Sequence, residues 1–204
     1  MNQHLKLRMM NENIRLVVGL GNPGTPYQST RHNAGRWFVD LFSNDLCASA
    51  PLESKFGYYK ACLSPQGDKV YFFESKKYMN ECGLSIAGFA KYYKIAAHQI
   101  LVAYDEMDLP PGVIRLRRGG GCAGHNGLKD CIKHIKGDFY RLRIGVGRPL
   151  KGIDPANYVL SSPTYDEQNR INAIITDACH DARYVLEGSI ELFMNKLHKI
   201  NHGI

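Results

Sequence analysis

No stretch of the 204-residue sequence approaches the roughly 20 consecutive apolar residues that a bilayer-spanning helix needs, although 44% of the residues are hydrophobic. The first residues, Met1 to Asn13, are polar and lack the apolar core of a secretory signal, so nothing points to export. Residues 1–13 are expected to form a tail, and residues 14–204 a single domain large enough to bury one core without disulfide or metal support. The six cysteines (Cys47, Cys62, Cys82, Cys122, Cys131 and Cys179) include no Cys-x-x-Cys pair, which removes the zinc-knuckle and thioredoxin-like readings. They read as reduced, mostly structural thiols of a cytoplasmic protein. No serine sits in a nucleophile elbow, so a serine acyl-enzyme is disfavoured. Repeats, low-complexity tracts and obvious linkers are also missing.

What the sequence does have is an uneven positive charge. The net charge is +7. Between Arg115 and Lys151 stand ten basic residues and only two acids, Asp130 and Asp138, so this one segment carries the whole excess. A charge run is usually a solvated face, but an excess confined to one segment favours a polyanionic partner, with nucleic acid first among them.

Apolar runs and periodicity outline the elements. Ile14–Leu20 reads as a buried strand ended by Gly21-Asn22-Pro23-Gly24, and a helix follows over Ala34–Asn44. Gly57–Leu63 and Lys69–Glu74 read as a hairpin across Ser64-Pro65-Gln66-Gly67. A helix is expected over Lys76–Ile95, strands over Gln99–Tyr104 and Val113–Arg117, a short helix over Leu128–Ile135 and a strand over Tyr140–Val146. A long helical pattern runs from Tyr165 to His198, with a break expected near Gly188. Strands alternating with helices predict a single α/β domain, a twisted sheet flanked by helices on both faces, and the antiparallel hairpin makes that sheet mixed. Sites in such sheets gather at the carboxyl ends of strands, which should bring together the loops after Leu20, after Tyr104 and around Gly119–Asn126.

Four loops carry the chemistry. Gly19-Leu20-Gly21-Asn22-Pro23-Gly24 matches the dinucleotide pattern G-x-G-x-x-G in letters only: Pro23 and Pro26 favour an extended turn where the pattern needs an immediate helix, so no nicotinamide or flavin cofactor is expected. The second, Ser29–Gly35, offers His32, with Thr30 or Asn33 available to cap the following helix. In the third, Asp105, Glu106 and Asp108 follow a buried strand; an acid there can orient an imidazole from a neighbouring loop. The fourth, Gly119–Gly127, can present backbone N–H groups to an anion, and Arg115, Arg117, Arg118 and Lys129 flank it.

Taken together, GLGNPGTPY (19–27), TRHNAGRWFVD (30–40), YMNECG (78–83), AYDEMDLPPG (103–112), GGGCAGHNGLKD (119–130) and FYRLRIGVGRP (139–149) closely resemble the bacterial-type peptidyl-tRNA hydrolase family, in order and spacing. The resemblance implies a monomeric, metal-free and cofactor-free cytoplasmic enzyme without a membrane or an obligate protein partner. It would act on peptidyl-tRNAs released from stalled ribosomes. It implies His32 as the base and Asp105 as its partner acid. Asn22, Asn80 and Asn126 match the active-site asparagines, Tyr27 and Met79 the walls of the peptide cleft, and Arg117 and Arg143 the grip on tRNA phosphate. Arg117 stands where lysine is frequent, and an arginine can hold phosphate with two parallel bonds. Tyr78 stands for a common phenylalanine, Met107 for a frequent leucine, and Cys122-Ala123 for a small or polar residue followed by glycine. Ala123 would resist a positive φ there.

The chemistry asked of these residues is water attack on an ester. An imidazole ordinarily titrates near pH 6.5, so it is largely neutral at pH 7 and can take a proton. Asp105 would fix its tautomer, Asn22 would serve the oxyanion or the water, and Asn80 and Asn126 would hold peptide backbone and water. Two rival readings are a non-catalytic RNA-binding protein, such as a plant organelle splicing factor that shares the fold, and a cofactor-dependent oxidoreductase. The intact set of His32, Asp105 and three asparagines speaks against the first, and the prolines of the first loop against the second.

Overall fold

Strands form where the apolar runs fall. In the computed structural model, which describes residues 13–47 and 49–200, β1 spans Leu16–Gly19 and leads through 3-10 turns at Thr25–Tyr27 and Arg31–Asn33 into α1 (Ala34–Leu46). Then come β2 (Leu52–Glu53), β3 (Gly57–Leu63), β4 (Lys69–Ser75) and, after a 3-10 turn at Met79–Glu81, α2 (Cys82–Tyr92). The chain continues with β5 (Ile100–Glu106), β6 (Ile114–Arg118), α3 (Asn126–Ile135), β7 (Tyr140–Gly145), α4 (Pro155–Val159), α5 (Tyr165–Leu186) and α6 (Ile190–Leu197). The tail expected over residues 1–13 lies, but for Asn13, outside the described residues.

The seven strands form one mixed sheet in the order β2-β3-β4-β1-β5-β7-β6. β4, β1, β5 and β7 run parallel, while β2, β3 and β6 are antiparallel to their neighbours. Both faces are covered, so β1 and β5 are buried at every residue and show no polar alternation. Val17, Leu101, Ala103 and Leu142 pack against Phe38 and Phe42 of α1 and the apolar stripes of α5 and α6. Leu16, Val18, Ile100 and Val102 point the other way, onto Ile86 and Phe89 of α2 and Leu128 and Cys131 of α3.

The chain leaves β1 towards β4 on one side, then crosses back to place β5 on the other. Loops at the carboxyl ends of β1 and β5 therefore diverge and open a crevice, the usual ligand position of an open α/β sheet. The helix expected from Lys76 is shorter than its apolar spacing suggests. Tyr78 is extended (φ −62°, ψ 163°), and the Met79 N–H goes to the Asn22 side chain, 2.8 Å away. The long C-terminal pattern does break at Gly188, where φ is 76°. A capping box between Thr164 and Glu167 starts α5.

Candidate active site

His32 stands in the 3-10 turn just before α1, and Asp105 near the end of β5. Close packing brings them together. A Cβ on Gly35 would lie 2.2 Å from the Ala103 carbonyl oxygen, so only glycine lets the start of α1 settle on β5. His32 Nδ1 then lies 2.9 and 3.0 Å from the two Asp105 carboxylate oxygens. A second imidazole reaches the same group: His125, at the N-terminus of α3, has Nε2 at 2.9 Å from Asp105 Oδ1. The loops of opposite sheet faces thus meet over one carboxylate, with the two rings 4.9 Å apart.

The hydrogen bonds assign the protons. A carboxylate only accepts, so both facing ring nitrogens donate. His125 Nδ1 accepts the Leu128 N–H at 3.3 Å, capping α3, which makes that ring the neutral Nε2–H tautomer. For His32 the donor is Nδ1, so Nε2 is the nitrogen left for proton transfer. Burial would push the Asp105 carboxyl up, but the two imidazoles and their hydrogen bonds outweigh it and hold the group well below the usual carboxylate range. His32, Asp105 and His125 are also close enough to hold a metal ion. As bonded, they form a proton network: a cation on His125 Nε2 would force a proton onto Nδ1, against the Leu128 N–H.

This network lies in a cleft of about 590 Å³ that Asn22, Asn80 and Asn126 also line, with Tyr78, Met79, Met107, Val159 and Leu160 as its apolar walls. Because Asn22 Oδ1 accepts the Met79 N–H, the amide nitrogen is the free end of that side chain. Asn33 caps nothing with its side chain; it grips the Asn22 backbone instead, accepting from N at 2.8 Å and donating to O at 3.0 Å. Tyr27 does not line the cleft; it packs edge-on against Tyr78, which does. Arg31 turns away and donates to Tyr158 O, Ser161 O and Oγ, Ser162 O and Glu167, fixing the C-terminal end of α4, which walls the cleft with Val159 and Leu160.

The two arginines expected at phosphate are partly engaged within the protein. Arg143 Nε donates to Glu106 Oε2 at 3.0 Å, and Glu106 also accepts from the Tyr104 hydroxyl at 3.3 Å. Burial, followed by Glu106, pushes the Tyr104 phenol up to about 12, so it stays a donor. Arg117 lies against Gly120, where a Cβ would come 2.0 Å from its guanidinium. Ala123 adopts φ 45°: the loop keeps the left-handed turn despite the side chain that should resist it.

Sequence reasoning missed His125. Its signal was available, since it neighbours Asn126 in a loop already assigned to the site, but nothing in spacing tells which loop side chain turns inward. It also counted Arg141 only as part of the charge excess.

Compared with known proteins, residues 16–203 match the family model described as peptidyl-tRNA hydrolase. The chain is 44% identical over 186 residues to a peptidyl-tRNA hydrolase of Methylobacillus flagellatus, covering 91% of this chain and 96% of that one. The crystal structure of peptidyl-tRNA hydrolase from Acinetobacter baumannii superposes with a TM-score of 0.88 at 39% identity, over 93% of this chain and 97% of that one. A crystal structure of a peptidyl-tRNA hydrolase complexed with N-propanol matches with the same score and identity, over 94% and 97% of the two chains.

Proposed function

The chain belongs to the peptidyl-tRNA hydrolase family, and from that premise we propose that His32 is the general base of the hydrolysis, with Asp105 as its orienting acid. The reaction cleaves the ester between the peptide carboxyl and a tRNA ribose hydroxyl. His32 Nε2 takes a proton from water as the water oxygen attacks the ester carbonyl. The carbonyl–ribose oxygen bond then breaks, and the proton passes to the leaving ribose oxygen. Asp105 holds the Nδ1–H and stabilises the imidazolium that forms between the two steps.

The observation that carries this reading is the His32 Nδ1 contact with both Asp105 oxygens, which leaves Nε2 for chemistry. The free amide nitrogen of Asn22 suits the oxyanion that forms on attack. Asn80 and Asn126 would hold peptide backbone, Met79 would wall the peptide cleft with Tyr27 backing Tyr78 behind it, and Arg117 and Arg143 would meet tRNA phosphate. Recognition of backbone rather than side chains would let one enzyme release many peptides. The enzyme is read as a monomer from the family resemblance, and light scattering behind size exclusion tests that part. The recycling of tRNA from stalled translation in the cytoplasm follows as the role of such an activity.

His32→Ala should lower kcat on N-acetylaminoacyl-tRNA by about a hundred- to ten-thousand-fold while tRNA still binds. Near-normal turnover by the folded variant would reject the assignment. Cleavage of the same tRNA carrying a free amino acid, run in parallel, reports whether the blocked amine is required.

A further inference from the structure

Arg141 of β7 has no exposed surface, and among the described residues no carboxylate pairs with it. Its guanidinium lies over the Phe139 ring, 4.6 Å from the centroid, and its donors go to main chain: Nη1 to Gly121 O at 2.5 Å and Nη2 to Gly120 O at 2.6 Å. Burying a charge without a counter-charge is costly, and such a departure from ordinary packing points to a site that needs it.

The two carbonyls belong to the loop that ends at His125. Gly119, Gly120, Ala123 and Gly124 all have positive φ, and a glycine-rich backbone is loose unless something holds it. The loop is anchored where it starts, Gly119 N to Phe139 O at 2.9 Å, while His125 N to Cys122 O at 2.8 Å closes a turn within the loop itself. Among the described residues, the hydrogen bonds that the Gly120 and Gly121 carbonyls accept come from Arg141. A planar guanidinium spans two successive carbonyls, which a lysine ammonium cannot do in one plane.

We propose that Arg141 is a positioning residue for the hydrolysis: by pinning Gly120 and Gly121 it sets the loop path that delivers His125 to Asp105, and so keeps Asp105 turned to His32. The inference rests on the reading of His32 and Asp105 given above. Lysine at position 141 keeps the charge but loses the fixed two-nitrogen fork that grips both carbonyls.

The test is a double-mutant cycle on N-acetylaminoacyl-tRNA with Arg141→Lys, His125→Ala and the pair, beside His32→Ala. Arg141→Lys should lower kcat by about tenfold or more with KM little changed, and the pair should be no slower than His125→Ala alone, because both changes break one route. Imidazole nitrogen spectra of Arg141→Lys should lose the Asp105-bonded Nε2–H signal of His125. Wild-type kcat in Arg141→Lys, losses that multiply in the pair, or an unchanged His125 signal would overturn the inference. If Arg141→Lys melts below the assay temperature, Arg141→Gln, which can still donate to one carbonyl, is read the same way. An active His32→Ala would instead bring down the underlying base assignment.

Discussion

A carboxylate taken out of water loses its charge unless donors hold it, and two acids of this protein, Asp105 buried and Glu74 half-buried, fall on opposite sides of that rule. Burial alone would raise Asp105, but two imidazoles from opposite faces of the sheet, through their charge at low pH and then their N–H bonds, outweigh it and depress its value. Its contribution to stability is present above the unfolded carboxylate value, near 3.9, and is lost as pH falls through the folded one. Glu74 on β4 has the reverse balance. Burial, and then Asp40 beside it, push its carboxyl up to about 7, with Arg36 at 3.5 Å only partly offsetting them. The folded state therefore binds a proton that the unfolded chain releases near pH 4.3, and stability falls as pH rises from there through 7. Glu74→Gln should melt a few degrees above the parent at pH 8 and close to it at pH 4, by calorimetry; a gain as large at pH 4 would mean that the carboxyl is not the cause.

Elements meet closely where the site requires it. α1 reaches the end of β5 because Gly35 has no side chain, and Gly19 of β1 leaves room from below, where a Cβ would stand 2.7 Å from the Gly35 oxygen. Gly35→Ala must push α1 away from the sheet and carry His32 with it. The expected cost is about 1–3 kcal/mol in denaturant titration, with kcat reduced as well. A variant destabilised to that degree but fully active would show that the site tolerates the shift. Much of this architecture was legible in the sequence. The runs Ile14–Leu20 and Gln99–Tyr104 marked the central strands because they are buried on both faces, and Gly188 marked the end of α5 because a left-handed residue cannot continue a helix. The two-residue β2 and five-residue α4 are too short for periodicity to reveal. Among the site residues, His32, Asp105 and the three asparagines were readable from their motifs. His125 and Arg141 were not, because their roles depend on contacts across the sheet. Tyr140-Arg141-Leu142-Arg143 alternates like a half-exposed strand, yet Arg141 points under a loop rather than into solvent.

At the scale of the whole molecule, the positive segment of the sequence becomes one end of the sheet, built from β6, α3 and β7. Not all of its charge is available to a partner. Arg141 is enclosed, and Arg118, Arg143 and Arg148 are paired with Asp138, Glu106 and Asp108. The exposed cations of α3, Lys129 and Lys133, form no ion pair among the described residues, and they stand on the helix that begins at the cleft with Asn126. A tRNA backbone laid across this end would meet them beside Arg117. Each phosphate contact releases condensed counterions, so each one lost should flatten the plot of log binding constant against log salt by about 0.7–0.9. Lys129→Ala with Lys133→Ala should therefore weaken tRNA binding, with a salt slope shallower by roughly 1.4–1.8 and kcat at saturation unchanged. Arg143→Ala should differ in kind: removing it also leaves Glu106 without its counter-charge, so binding should fall together with thermal stability. An unchanged slope in the lysine pair would move the tRNA path off α3 and leave β6, with Arg115 and Arg117, as the edge that meets the nucleic acid.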